Sequence, residues 1–310
     1  MEEKKLDGQA VGDCKDVHLP MDDEGRLYHI GLKRGELANR IITVGDPLRA
    51  RSMSELLDKI LFEHHSNRGY STYTGLRNNV PISIIATGMG LPLVDFMVRE
   101  GRVIVDGPMH IVRFGTCGCL DGEIPVGHVI VASKGSALAT RDYDAVEENL
   151  QSKEVKNKIP YILTKVIPSD PELNKAILSE LKEKLGEEKV HEGVNITADS
   201  FYSSQGRLNP DFNDYNSDLI EEILRKYPDA VSFEMETYLY LHLARSSVSK
   251  PIFATAACIA LAQRKQDVFL DTETKHKVEK LGGQALIDAL SKLVIKDEMN
   301  TDECVWKKQN

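Results

Sequence analysis

Short apolar runs that end in glycine or proline recur along the chain, and charged stretches of helical period separate them. "IITV" at 41–44 contains one polar position and breaks at Gly45-Asp46-Pro47, which predicts a buried strand followed by a helix through "LRARSMSELLDKI". "YSTYTGL" and "VPISIIAT" flank Asn78-Asn79, a pair suited to a tight turn, and together predict a hairpin. "GMGLP" leads into a helix ending near Gly101, "HIVRF" forms a short strand stopped by "GTCG", and "GHVIVAS" forms the next strand. "RDYDAVEENLQSKEVKNKIP" at 141–160 is charged and reads as a long surface loop. "DPELNKAILSELKEKLG" carries a helix start signal and helical period, "VHEGVNITA" predicts a strand and "DLIEEILRKY" a helix. "PIFATAACIAL" then predicts a strand, and "TKHKVEKLGGQALIDALSKLVI" a closing helix.

Alternating strands and helices indicate an α/β protein, a three-layer α/β/α sandwich around a mostly buried mixed β-sheet. The 310 residues leave room for two domains, but no repeat or low-complexity linker divides them. The expected organisation is a polar tail over 1–25, one domain over 26–298 and a polar tail over 299–310.

A formal charge of −9 disfavours nucleic acid and anionic membranes as partners, since both reward a basic surface. No stretch approaches the roughly 20 apolar residues of a membrane helix, and the first residues, "MEEKKLDGQAVGDCKD", have no apolar signal core. The five cysteines are odd in number and lack a framework spacing, which suggests reduced thiols and a cytoplasmic protein. Cys117 and Cys119 form C-x-C without a second Cys/His pair, so no metal is expected.

Candidate chemistry gathers where strands end in glycine-rich turns. "VGDPLRA" exposes backbone N–H groups at a helix start, a natural anion site, and Arg49 lies one turn further on. "VRFGTCG" places Arg113 inside an apolar strand, where its guanidinium needs an anion or a carboxylate, with Thr116 close behind. Arg68 precedes another strand. The run "AVSFEMETYLYLHLA" at 230–244 is carbon-rich yet holds Glu234 and Glu236, and buried carboxylates need hydrogen-bond donors. Taken singly, each feature has a plainer reading. The glutamates fit a structural ion pair with core arginines, Gln205 and Arg207 fit a surface loop, His29 fits simple packing, and Met235 fits core filling.

Six motifs occur together and in order: "HIGL" (29–32), "GDPLR" (45–49), "RGYSTY" (68–73), "VRFGTCG" (112–118), "FYSSQGRL" (201–208) and "FEMET" (233–237). In this order the chain resembles the nucleoside phosphorylase-I family over roughly residues 28–295, most closely its uridine-cleaving members. The resemblance implies that family's fold and the reversible phosphorolysis of uridine to uracil and ribose 1-phosphate, a transfer of the pentosyl group to inorganic phosphate. It assigns phosphate binding to Gly45, Arg49, Arg68, Arg113 and Thr116. Ribose binding falls to His29, Glu234, Met235 and Glu236, and base binding to Phe201, Gln205 and Arg207. Arg113, Gln205, Arg207 and Glu236 are the implied catalytic group. His29 and Arg68 come from a neighbouring subunit in this family, so a homodimer with shared sites is implied, or a hexamer. Phosphate is a co-substrate, and no metal or organic cofactor is implied.

Two departures bear on specificity. Purine-cleaving members place an acid after a strand like "PIFATAACIAL", whereas this chain continues "AQRKQD", with Asp267 beyond the expected place and Arg264 in the position of a loop-fixing arginine. Gly69 stands where some bacterial relatives carry a glutamate for an interface cation. A purine nucleoside phosphorylase, a nucleosidase using water, and a non-catalytic nucleoside-binding or storage relative are the alternatives. Retention of the three arginines and Glu236 weighs against the last two.

Overall fold

The computed structural model of the chain describes residues 12–152 and 155–307. In chain order its first half contains β1 (Arg40–Val44), α1 (Pro47–Ser54), β2 (Lys59–His65), β3 (Ser71–Arg77), β4 (Val80–Ala86), α2 (Leu91–Ile104), β5 (Met109–Cys119), β6 (Val129–Val131), β7 (Ser136–Arg141) and α3 (Tyr143–Gln151). The second half contains β8 (Tyr161–Leu163), α4 (Pro171–Leu185), β9 (Val190–Glu192), β10 (Val194–Ala198), α5 (Leu219–Lys226), β11 (Ala230–Glu234), α6 (Thr237–Ser246), β12 (Ile252–Gln263), β13 (Val268–Phe269) and α7 (Thr272–Lys292). All strands join one mixed sheet, ordered β2-β3-β4-β1-β5-β11-β10-β7-β8, while β12 lies along β5 and carries β6 and β13.

Helices cover both faces, as a sheet apolar on both sides requires. Met53 of α1, Leu173, Ile177 and Leu181 of α4 and Leu286 of α7 pack with Ile42, Val112 and Ile84 on one face. Val94 and Met97 of α2 and Tyr240 and Leu241 of α6 pack with Ile41, Ile111 and Ile85 on the other. The result is a single-domain α/β sandwich. Local chemistry sets several boundaries. Asp46, Asp142, Asp170 and Asp271 each accept a backbone N–H at the start of α1, α3, α4 and α7. Asn78 and Asn79 turn the β3–β4 hairpin with φ of 52° and 62°, in the left-handed region that asparagine tolerates.

Several elements depart from the sequence pattern. The helix after Pro47 stops at Ser54, because "KILFEHH" pairs with β3 as β2. "GTCG" does not stop β5, since β12 pairs alongside it from Met109 to Cys119. Gly193 splits "VHEGVNITA" into β9 and β10, which pair with β6 and β7 respectively. The expected loop over 141–160 holds α3, and Asn149 accepts the amides of Lys156 and Asn157 to close its end. Of the expected N-terminal tail, residues 1–11 lie outside the described residues, while Met21 bridges to Leu27. Of the expected C-terminal tail, residues 308–310 also lie outside, while Met299 and Cys304 are buried against the domain.

The site is placed by a fork in the sheet. β1 pairs with β5 as far as Arg113, and β11 takes up pairing with β5 only at Gly118. Between them, residues 114–117 of β5 are paired along β12 alone. The carboxyl ends of β1 and β11 face each other across this gap.

Candidate active site

A cavity of about 480 Å³ opens at the fork, within the range of small-molecule sites. Gly45 enters from the β1–α1 turn and Arg49 from the first turn of α1, Arg113 and Thr116 from β5, and Glu234, Met235 and Glu236 from the end of β11. Phe201, Gln205 and Arg207 enter from the loop after β10. Residues spread over most of the sequence thus line one space.

Arg113 is the hub. Its side chain is 8% exposed, its Nε lies 3.1 Å from Glu234 Oε2, and its Nη2 donates to Glu236 Oε2. Burial disfavours the charged guanidinium, but the Glu236 and Glu234 carboxylates outweigh burial and hold its pKa up. Gly115 leaves room for this position: a Cβ there would displace the guanidinium.

The donors to the two buried acids are now identifiable. Glu234 accepts the Thr197 hydroxyl at 2.6 Å and the backbone N–H groups of Glu236 at 3.0 Å and Thr237 at 3.0 Å. It therefore caps the N-terminus of α6 while pairing with Arg113. Burial nevertheless pushes its pKa up, with Arg113 pulling the other way and the neighbouring Glu236 charge adding to the rise. Glu236 accepts from Gly90 N–H at 2.7 Å. Gly90 holds φ of 100°, a backbone conformation that other residues rarely adopt, and so presents that N–H to the acid.

At the other end, the loop after β10 is folded tightly. Asn216 Nδ2 donates to the carbonyls of Ser203 at 2.9 Å and Arg207 at 3.1 Å, and Gly206 N–H closes on Ser203. This leaves Gln205 buried and Arg207 stacked 4.0 Å over the Phe201 ring, with its Nε donating to the Phe201 carbonyl. Arg264 Nη2 donates to Gly206 O at 3.4 Å, and its buried Nη1 has no hydrogen-bond partner. Burial, with Arg207 nearby, lowers its pKa to about 10.

His29 and Arg68 do not line the cavity. His29 stacks on Phe96 at 3.8 Å and meets Glu100 through Nδ1 at 2.5 Å. Arg68 lies over Tyr28 and donates to its hydroxyl. The two are neighbours of one another through Tyr28.

Met89, Leu261 and Phe269, to which the sequence assigned no role, also line the cavity, as does Cys117 of the C-x-C pair. Phe269 comes from the two-residue strand β13, which is too short to leave a periodic signal. Asp267 sits exposed at the tip of that hairpin, outside the cavity. Among the described residues no cluster of three or more His, Cys, Asp or Glu side chains could hold a metal ion, and no helix is long and apolar enough to cross a membrane.

The family model of the phosphorylase superfamily matches residues 39–295. A uridine phosphorylase of Thermococcus kodakarensis is 31% identical over 227 residues, covering 73% of this chain and 74% of its own. A purine nucleoside phosphorylase of the DeoD type from Streptococcus pneumoniae is 30% identical over 247 residues, covering 78% and 94%. A solved structure from work on two uridine phosphorylases of the oomycete Phytophthora capsici superposes with a TM-score of 0.85 at 37% identity, covering 91% of this chain and all of that one.

Proposed function

The chain belongs to the phosphorylase superfamily, and on that premise we propose that it cleaves uridine reversibly with inorganic phosphate, giving uracil and ribose 1-phosphate. The observation that carries the reading is the meeting of three kinds of group in one cavity: paired arginines with a hydroxyl, a buried acid beside a methionine, and an amide beside an arginine.

Phosphate is held between the Gly45 turn, Arg49, Arg113 and Thr116, on the stretch of β5 that lacks a second strand neighbour. Planar guanidinium groups donate paired hydrogen bonds to phosphate oxygens and suit this task. One phosphate oxygen attacks C1′ as the glycosidic bond breaks, and the bonding pair leaves with the base. Glu236 accepts from the ribose hydroxyls, held in place by Gly90 N–H and Arg113, while Met235 lies under the sugar. Negative charge grows on the departing pyrimidine, where Gln205 and Arg207 donate and Phe201 packs. Fixed donors aimed at developing charge are often the largest catalytic contribution, about 3–4 kcal/mol each. His29 and Arg68 complete the site of a second copy, at the ribose 5′-hydroxyl and the phosphate. Their position away from their own cavity supports a homodimer with shared sites, though a hexamer built of such pairs uses the same contacts. The reaction needs no metal or organic cofactor, and the five free cysteines support a cytoplasmic setting.

Purine cleavage is the second reading, because the Streptococcus pneumoniae relative bears a purine nucleoside phosphorylase name. The exposure of Asp267 outside the cavity favours the pyrimidine. Incubation with uridine or inosine, with and without phosphate, separates the cases. Uracil release from uridine that requires phosphate is expected. Release independent of phosphate contradicts phosphorolysis, and faster cleavage of inosine contradicts the base assignment.

A further inference from the structure

Behind the cavity, Arg49 is tied to a residue that no sequence motif marked. Its Nε donates to Glu279 Oε1 at 2.8 Å, and its Nη1 donates weakly to the Phe114 carbonyl at 3.4 Å. Both side chains are enclosed, at 7% and 12% exposure. The same carboxylate also meets Lys275 Nζ at 3.7 Å, through the oxygen that Arg49 uses, and His276 Nδ1 at 3.2 Å through the other.

The packing of α7 explains the approach. Gly282 and Gly283 follow Glu279 by three and four residues and so share its helix face. A Cβ on Gly282 would press the Phe114 ring at 2.7 Å, and one on Gly283 would meet Met53 of α1 at 3.1 Å. The two glycines let α7 lie close against β5 and α1, which brings Glu279 within reach of Arg49.

We propose that Glu279 is a positioning residue for Arg49, fixing its guanidinium so that the outer amino groups face phosphate in the cavity. The proposal rests on the phosphorolytic reading of the site. Its chemistry predicts a sign. A carboxylate behind an anion site repels the anion, so if charge alone mattered, removing Glu279 would tighten phosphate binding. If orientation dominates, removing it weakens binding, because a freed arginine side chain must be reordered by the ligand.

Titration calorimetry of the full chain with inorganic phosphate tests this. Glu279→Ala is expected to weaken binding about tenfold, the scale of one hydrogen bond to a charged group. Glu279→Asp, which keeps the charge but shortens the reach, should behave like the alanine variant, and serves in its place should that variant not fold. Glu279→Gln, whose amide oxygen still accepts from Nε, should recover most of the loss. In an Arg49→Ala background, Glu279→Ala should weaken binding no further. In steady-state assays the loss should fall on the KM for phosphate more than on the KM for uridine. Unchanged or tighter phosphate binding by Glu279→Ala or Glu279→Asp overturns the proposal, as does a full additional loss in the Arg49→Ala background. Failure of the unmutated protein to bind phosphate overturns the phosphorolytic reading together with this one, whereas normal binding with an indifferent Glu279 removes this one alone.

Discussion

Replacing Arg113 by methionine keeps the apolar stem and removes the guanidinium that two buried carboxylates share. Glu234 and Glu236 are each 3% exposed, and both contact Arg113 in the folded protein. Neither acid loses every donor: Glu234 keeps Thr197, Glu236 N–H and Thr237 N–H, and Glu236 keeps Gly90 N–H. What remains is two like charges enclosed together, and breaking a buried pair costs about 3–5 kcal/mol. The loss should depend on pH in a definite direction. Burial already raises the Glu234 pKa against the pull of Arg113. Without Arg113 it rises further above its unfolded value, so the folded variant binds a proton that the unfolded chain releases. Its stability therefore recovers as pH falls through the raised folded pKa toward the unfolded value near 4.5. Urea unfolding of wild type and Arg113→Met at pH 8 and at pH 5.5 should show the larger difference at pH 8. A difference below about 1 kcal/mol at pH 8, on the scale of an exposed pair, or an equal difference at both pH values, would refute the shared-hub reasoning.

Arg207→Ala should lower uridine turnover by about a hundredfold or more, the scale of one donor to developing charge, while leaving the KM for phosphate nearly unaltered. Equal losses in both would contradict its assignment to the base. Mixing Arg68→Ala with Arg207→Ala protein should restore activity, since in the proposed shared-site dimer each hybrid regains one intact site; confirmed hybrids without activity would show that each chain completes its own site. Burial lowers the pKa of His64 and of His110 from 6.5 to about 4. The unfolded chain takes up protons near pH 6.5 that the folded chain refuses until about pH 4, so stability is complete above that window and falls as pH drops through it. For the enclosed His64 the loss amounts to about 3 kcal/mol. Unfolding midpoints of His64→Leu should fall less steeply between pH 7 and pH 4.5 than those of wild type, and parallel slopes would refute the assignment.

Much of the site could be read from the sequence because burial of charge leaves a visible conflict. An arginine inside "HIVRF" and two glutamates inside "AVSFEMETYLYLHLA" each demanded a partner, and the fold supplies them to one another. The apolar runs of β1 and β12 and the Asn78-Asn79 turn were legible for the same reason, since local pattern and tertiary role agree. Elsewhere the two parted. β7, "SALATR", has small side chains and no long apolar run, and α3 buries only Val146 and Asn149, so neither announces itself. β2 exposes much of its length and is held by pairing with β3 more than by burial. β5 passes through "GTCG" because β12 supplies a continuous ladder, which no window of sequence around the glycines contains. Glu279 sits among lysines in the closing helix and no motif marks it; the role proposed for it depends on the close approach of α7, which the packing at Gly282 and Gly283 makes visible.

In the proposed reaction, Arg49 and Arg113 aim a phosphate at the sugar carbon that loses its base. Phosphorus-31 resonance of a reaction containing the protein, uridine and inorganic phosphate follows that transfer itself. A sugar phosphate ester signal growing in step with uracil, with an equal decline of free phosphate, is the predicted result. Uracil accumulating while the inorganic phosphate signal stays constant would contradict the account.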